Sequence, residues 1–185
     1  LAEYPIVSIA TYNTYNDNIK VFTTLPIKGA KQYKSEKGMI EAFASYIKTE
    51  DFDVISGWYN QSFDDPYVFN RAQKLYANIA GFSRTKQKRP WERDIFTTRT
   101  NIDLMEIFRA WSLPLGQQES YGLKFIARKF AAFEYDDFGA EIDELVKQKR
   151  FKALYEYACN DVIALARIDK ACGLINFYEN LRQMT

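Results

Sequence analysis

Two adjacent carboxylates, Asp64 and Asp65, follow an apolar stretch and precede a segment with the pattern of a helix. Pro66 suits the first position of that helix, because a proline loses no hydrogen bond there, and this makes Asp65 the predicted N-cap. Asp64 then lies just outside the helix, at the end of a strand, where ligands often bind in α/β proteins. It is a candidate ligand-binding group; the alternative is a second, solvated turn aspartate.

A third acid, Asp161, follows Tyr157 by four positions in a long helical pattern. Residues four apart lie on the same side of a helix, and both fall at the margin of the predicted buried stripe. The stripe consists of Phe151, Leu154, Tyr155, Ala158, Val162 and Leu165. A pair at such a margin either lines a cleft or is an ordinary boundary between the buried and the exposed face.

Composition limits the chemistry open to these acids. The chain has no histidine, which excludes Ser-His-Asp and Cys-His catalysis and argues against a zinc site. Cys159 and Cys172 fall in one predicted helix about 20 Å apart, too far for a disulfide, and we expect reduced thiols in an intracellular protein. Carboxylate chemistry remains, and its hard oxygen atoms suit Mg²⁺ or Mn²⁺.

Charge and hydropathy give weaker indications. The net charge of +1 provides no overall attraction to nucleic acid, so contacts to phosphates must come from local clusters. Residues 84 to 93 form such a cluster, with five basic residues and one acidic residue, and are predicted to be a loop that is either solvated or bound to phosphates. The chain has no long apolar run, so we expect neither a membrane span nor a signal peptide.

The periodicity predicts short strands followed by helices. Strands are expected at 5 to 12 and 18 to 24, as a hairpin, and at 53 to 58. Helices are expected at 35 to 48 behind Ser35, at 120 to 131, at 140 to 149 and from 151 to 172 or towards 183. Val68, Ala72, Leu75 and Ile79 mark another helix, and 101 to 111 a strand turning into a helix. The length fits one domain, of the α/β or α+β class.

These segments together resemble the 3′–5′ exonuclease domain of family B DNA polymerases, most closely that of T-even-like bacteriophages. SGWYNQSFDDPYVFNR is similar to the second exonuclease motif of this family, and YACND to the third. AEYPIVSIATY is similar to the strand after the first motif, while NIDLMEIF and SYGLKFIARKF fall where the family has an Asp-Leu strand end and the next helix. The resemblance covers essentially residues 1 to 185 and implies an α/β, ribonuclease H-like (DnaQ-like) exonuclease fold, a mixed sheet flanked by helices.

The resemblance also implies an activity and a set of site residues. The domain would remove mismatched nucleotides from the 3′ end of a primer, with two Mg²⁺ or Mn²⁺ ions bound by Asp64 and Asp161, and Tyr157 would orient the water or the phosphate. Asp103 would support the site. Contacts to DNA are expected from Phe63, Asn60, Arg84, Lys86, Lys88 and Arg89. Phe63 would stack on unpaired bases or, alternatively, anchor the core.

Two features depart from the family pattern. The family's usual asparagine position is occupied by Tyr59, and Asn60 follows it; the first motif, Asp-x-Glu, is not among these residues. We expect that motif upstream of Leu1, on a central strand without which two strands have open edges, and we expect residues 1 to 185 alone to be inactive.

The expected partners are the 3′ end of single-stranded or primer-template DNA and the rest of a polymerase chain, in the cytoplasm and with no membrane. The rivals are a catalytically silent ribonuclease H-like module that binds DNA or braces a polymerase, and a free-standing exonuclease.

Overall fold

The structure, a computed structural model, describes residues 2–85, 95–136 and 142–184. Its strands are β1 Ser8–Asn13, β2 Asn18–Thr23, β3 Lys31–Gln32, β4 Val54–Gly57 and β5 Thr100–Asp103. Its helices are α1 Glu36–Glu50, α2 Asp64–Lys74, α3 Leu104–Trp111, α4 Leu123–Ala131, α5 Ile142–Lys147, α6 Phe151–Cys172 and α7 Leu174–Gln183. Single 3₁₀ turns lie at Ala80–Phe82 and Leu113–Leu115. The chain is therefore of mixed α/β composition, as predicted.

The described strands form two small sheets. β1, β2 and β3 are neighbours in that order, and the four-residue connection from β1 to β2 allows only the predicted antiparallel hairpin. β3 was not predicted, because a two-residue strand has no measurable periodicity; it pairs in parallel with β2. β4 and β5 form the second sheet in parallel, with Gly57 opposite Asp103. A single ribonuclease H-like sheet with a missing central strand stays a prediction.

The helix predicted behind Ser35 is confirmed as α1. The Ser35 hydroxyl accepts a hydrogen bond from the Gly38 amide at 3.1 Å, which satisfies one of the amide groups that the helix leaves unpaired at its start. The helix ends at Asp51, whose backbone is left-handed (φ 50°).

The prediction for α2 is wrong at both ends. The helix begins at Asp64, after Phe63 and without a side-chain cap, so Asp65 is not the N-cap but the second helical residue. Pro66 is the third residue, where its missing amide costs nothing, because the first amides of a helix have no intrahelical partner. The helix stops at Lys74, so Leu75 and Ile79 lie beyond it, although Ile79 is buried in the core.

The chain packs as two compact units. The first comprises Leu1–Ile9, Phe22–Pro26 and Lys31–Asp103, and the second Ala10–Val21, Ile27–Ala30 and Leu104–Thr185. The prediction that residues 1 to 185 are one exonuclease domain stays a prediction. None of the helices in the described ranges has the length and apolar content that crossing a membrane requires.

Aromatic side chains form much of the core of each unit. In the first unit, the Phe43 ring lies 5.7 Å from Phe22 and 5.2 Å from Phe82 between ring centres. In the second unit, the Phe108 ring lies 5.0 Å from that of Phe130 and 5.7 Å from that of Trp111. Such edge-to-face and tilted pairs add stability beyond the buried area alone.

The buried face of α6 differs from the predicted stripe. Leu154 is buried as expected, but the other fully buried positions of α6 are Ala164 and Ile168. The helix packs against α4, α5 and α7, and contacts on several sides shift burial away from one regular stripe. The helix predicted from 151 to 172 is confirmed as α6. Its continuation towards 183 is a separate helix, α7, because the left-handed backbone of Gly173 (φ 64°) interrupts the helix there.

Candidate active site

One candidate region, in the first unit, lies where β4 and β5 end together. Parallel strands bring their carboxyl ends to the same edge, a common location for ligand sites. The turn after β4 folds back closely over the strand: a Cβ atom on Gly57 would lie 2.6 Å from Cβ and 2.8 Å from Cγ of Asn60. This close approach requires glycine at position 57.

Asp103 fixes the beginning of this turn. It ends β5 and is buried, and its Oδ1 accepts a hydrogen bond from the backbone amide of Tyr59 at 2.9 Å. The predicted supporting role of Asp103 fits this geometry, because a buried carboxylate from β5 positions the turn that follows β4.

A buried polar network stabilises the rest of the turn. The Asp65 Oδ2 atom accepts hydrogen bonds from Nδ2 of Asn60 at 3.1 Å and from Nδ2 of Asn101 at 2.8 Å. The Asn60 amide also donates to Asn101 Oδ1 at 3.0 Å. Asn60 is thus buried and used inside the protein, and its assignment to DNA binding stays a prediction.

Asp64 differs from its neighbour Asp65 in its exposure to solvent. Its side chain is exposed, whereas that of Asp65 is 6% exposed. As the first residue of α2, Asp64 lies at the positive end of the helix dipole, which stabilises a carboxylate there. Of the two adjacent acids, Asp64 is the one that solvent, and hence a ligand, can reach.

Phe63 is not a core anchor. Its side chain is 59% exposed, and its ring is stacked against that of Tyr67, with 5.9 Å between centres. The alternative that Phe63 packs in the core is therefore wrong, and its flat exposed face suits the predicted stacking on bases.

A separate candidate region is a pocket in the second unit. It has a volume of about 370 Å³. Its lining consists of Ser120, Gly122, Leu123, Lys124, Phe125, Tyr157 and Asp161. Of the two interpretations of the pair on α6, the structure thus favours a lined cleft over an ordinary boundary.

Two residues of this pocket region were missed in the sequence. The Tyr135 hydroxyl donates a hydrogen bond to Asp161 Oδ1 at 2.7 Å. The Lys124 ammonium lies 4.9 Å from the ring centres of both Tyr135 and Tyr157 and donates to the Asp136 carbonyl at 2.8 Å. A cation between two aromatic faces is a favourable arrangement. Only the approach of distant segments creates it, so no local spacing could have indicated it.

The basic cluster is described only at its start. Arg84 forms ion pairs with Asp51 Oδ1 at 2.8 Å and Asp53 Oδ1 at 2.6 Å, and hydrogen bonding to Asp51 raises the pKa of its guanidinium. Its charge is thus already paired within the protein, which weakens the assignment of Arg84 to DNA. Lys86, Lys88 and Arg89 lie outside the described residues, as does most of the predicted loop.

The two cysteines are free thiols, as expected. Burial raises the pKa of Cys159 and that of Cys172, so both favour the neutral, weakly nucleophilic form. This supports the interpretation of both as ordinary helix residues rather than nucleophiles.

The donor atoms suit a hard cation only in part. Exposed Asp64 and half-buried Asp161 offer carboxylate oxygens, the ligand type that Mg²⁺ and Mn²⁺ prefer. Within residues 2–85, 95–136 and 142–184, however, no group of three or more acidic or cysteine side chains could hold a metal ion. Each of these two acids would therefore need further ligands to hold a metal ion.

Comparison with models of protein families identifies the family of this chain. Residues 3–124 match the model of the exonuclease domain of DNA polymerase family B. The chain belongs to this family. The matched region includes Asp64 and Asp103, whereas Tyr157 and Asp161 lie beyond its end.

Relatives of the family B exonuclease domain are similar over a larger share of the chain. The DNA polymerase delta catalytic subunit of Caenorhabditis elegans is 27% identical over 183 residues, 86% of this chain and 17% of that protein. The subunit of Candida albicans is 28% identical over 174 residues, 82% of this chain and 16% of that protein. A shorter stretch of 59 residues, 31% of this chain and 5% of that protein, is 42% identical in the subunit of Bos taurus.

A solved structure supports the same fold. The family B DNA polymerase from the hyperthermophilic archaeon Pyrobaculum calidifontis matches with a TM-score of 0.70 and 21% identity, over 90% of this chain and 21% of that one. This chain thus spans only a minor part of the length of each of these polymerases.

Proposed function

We propose that this family B exonuclease domain is the 3′–5′ proofreading exonuclease of a DNA-directed DNA polymerase, hydrolysing the terminal phosphodiester of a primer. The observation that carries the proposal is the match of residues 3–124 to the exonuclease family. The exposed Asp64 and the pocket with Tyr157 and Asp161 give it candidate residues. The small share of each relative that the chain covers supports a larger polymerase around it.

Each residue has a definable part in this proposal. Asp64 and Asp161, with an Asp-x-Glu motif that we place upstream, would hold two Mg²⁺ or Mn²⁺ ions. Such ions lower the pKa of a bound water and stabilise the leaving oxygen. The Tyr135 hydroxyl orients the Asp161 carboxylate, and the Tyr157 phenol orients the attacking water or the phosphate.

The substrate is the 3′ end of single-stranded or primer-template DNA. Phe63 offers its exposed ring to an unpaired base, a contact that tolerates any sequence. Lys124 supplies a fixed positive charge at the pocket, which complements a phosphate. A ribonuclease H-like sheet, a T-even-like phage origin and a cytoplasmic location are further parts of the proposal.

Cleavage by the natural polypeptide, with the sequence encoded upstream of Leu1 included, tests the site. We expect Asp64→Ala and Asp161→Ala each to lower the rate of 3′ nucleotide release from single-stranded DNA in Mg²⁺ at least about 100-fold, because metal ligands contribute several kcal/mol to such reactions. Glu156→Ala, an exposed acid on the same helix as Asp161, is the matched control and should cut like the wild type.

The catalytically silent module remains the second candidate, favoured by Tyr59 at the family's asparagine position and by the absence of Asp-x-Glu from residues 1 to 185. Wild-type cleavage rates in both aspartate variants would contradict the nuclease site. Strong cleavage by residues 1 to 185 alone would contradict the placement of essential ligands upstream.

A further inference from the structure

Tyr59 has a backbone conformation that is uncommon for a tyrosine. Its φ is +63°, in the left-handed region, which is unfavourable for residues with a Cβ atom. Some residues with positive φ, such as Asp51 and Tyr76, lie at helix ends, where this conformation is common. Others, such as Asp17 and Thr98, lie in turns. Tyr59 belongs to the second group, in the turn after β4.

Contacts of the backbone hold this conformation in place. The Tyr59 amide donates to the buried carboxylate of Asp103 at 2.9 Å, and the Tyr59 carbonyl accepts from the Phe63 amide at 3.1 Å. Both contacts use main-chain atoms, so any residue could make them. Glycine or asparagine would make them with less strain.

Packing does not account for the tyrosine side chain either. It is 46% exposed, and within the described residues its hydroxyl makes no hydrogen bond and its ring stacks on no other ring. No ring stacking or hydroxyl hydrogen bond within the described residues thus explains an aromatic residue at this position.

The surroundings indicate what the ring meets. Phe63, 59% exposed, is hydrogen-bonded through its amide to the Tyr59 carbonyl, and Asp64 comes next as the first residue of α2. Two exposed aromatic side chains thus occupy one turn that leads directly to an exposed carboxylate. Aromatic rings of this kind bind unpaired bases by stacking.

We propose that Tyr59 stacks on an unpaired base at the 3′ end of single-stranded DNA, beside the base held by Phe63. This inference rests on the proposed nuclease function and adds a residue to its substrate-binding surface. The Tyr59 ring, which the strained turn exposes to solvent, would position the base next to Asp64.

Binding without cleavage tests the inference. In EDTA, fluorescence anisotropy with a short 5′-labelled oligothymidylate should show roughly 5- to 100-fold weaker binding for Tyr59→Gly, the range that stacking of one base covers. Tyr59→Phe keeps the ring and should bind like the wild type. Both variants should unfold at or near the wild-type temperature, because glycine accepts a positive φ and phenylalanine changes only an unbonded hydroxyl.

Tyr76→Gly is a matched control within the same protein. Tyr76 is also left-handed (φ 52°) and 88% exposed, but it lies beyond the far end of α2, about 18 Å along the helix axis from Asp64. It should bind the oligonucleotide like the wild type. An oligothymidylate with abasic residues at its 3′ end should bind wild type and Tyr59→Gly equally, since the contact is to a base.

Several results would overturn the inference. Equal affinity of Tyr59→Gly and wild type, a difference that persists with the abasic probe, or no measurable binding by the wild type would each contradict it. If Asp64→Ala and Asp161→Ala abolish cleavage while Tyr59→Gly binds normally, only the role of Tyr59 fails. If those variants cut normally while Tyr59→Gly loses binding, the base contact stands and the nuclease assignment fails.

Discussion

The turn after β4 and the helix α6 each carry one of the two proposed metal-binding acids, but they position it differently. Asp64 is placed by a turn that depends on Asp103 and Asn101, both on a strand about 40 positions away in the sequence. Asp161 is placed by the regular geometry of a helix, which brings it to the same side as Tyr157. A site residue on a helix can thus be recognised from spacing, whereas one at a strand end depends on distant partners.

The same contrast explains which residues the sequence failed to reveal. Asn101 and Asp103 point to the same side of β5 because side chains alternate along a strand. Two polar residues at such alternate positions were the available signal for the network. Tyr135 and Lys124 had no comparable signal, because their contacts with Asp161 and Tyr157 arise only when separate segments pack together.

The largest expected effect is on the free energy of unfolding, and it distinguishes the two adjacent acids, Asp64 and Asp65. Asp65→Ala should destabilise the protein by about 2–4 kcal/mol, because it removes the carboxylate that accepts hydrogen bonds from the side-chain amides of buried Asn60 and half-buried Asn101. That loss corresponds to a decrease in Tm of roughly 4–15 °C. Asp64→Ala, at an exposed position, should lower the free energy of unfolding by less than about 1 kcal/mol.

Thermal denaturation followed by circular dichroism measures both values. Asp65→Asn is the control that keeps the shape and one acceptor oxygen, and it should lose less stability than Asp65→Ala. Equal destabilisation by Asp64→Ala and Asp65→Ala would contradict the prediction that only Asp65 contributes substantially to stability.

A smaller effect is expected in the pocket of the second unit. Tyr135→Phe removes one hydrogen bond to the Asp161 carboxylate, and at a half-buried position this should cost about 1–2 kcal/mol. A double-mutant cycle with Asp161→Asn should give a coupling free energy of at least about 0.5 kcal/mol. A coupling of zero for Tyr135 would contradict the orienting role of its hydroxyl.

The smallest effect concerns an exposed ion pair of the first unit. Hydrogen bonds from Arg84 and then Arg99 lower the pKa of Asp51. A carboxyl whose pKa is lower in the folded protein stabilises it above the unfolded pKa of about 4 and loses this contribution as the pH falls through the folded pKa. Asp51→Asn should therefore lower Tm slightly at pH 7.

The pH dependence of that difference is the measurement. The Tm values of wild type and Asp51→Asn should converge as the pH is lowered well below 4. A difference that stays constant to the lowest pH would mean that the charge of Asp51 contributes no stability.

Local rules predicted the elements well and their ends less well. Ser35 was recognised as the cap of α1 because a hydroxyl before a helix satisfies a nearby amide. The same rule failed at Asp65, because burial among Asn60 and Asn101 gave its carboxylate other partners. Leu75 and Ile79 continued the apolar pattern of α2 without continuing the helix, since burial in a core does not require helical backbone.

The sequence by itself determined the mixed α/β composition, the motifs that place the chain among family B exonuclease domains, and the shared helix side of Tyr157 and Asp161. These depend on neighbours a few positions apart, or on the order of residues. Only the tertiary structure decided that Asp64 is exposed while Asp65 is buried, that Tyr59 is strained with its ring in solvent, and that Lys124 lies between two tyrosines. Burial and hydrogen-bond partners are set by segments far apart in the chain, and no local pattern encodes them.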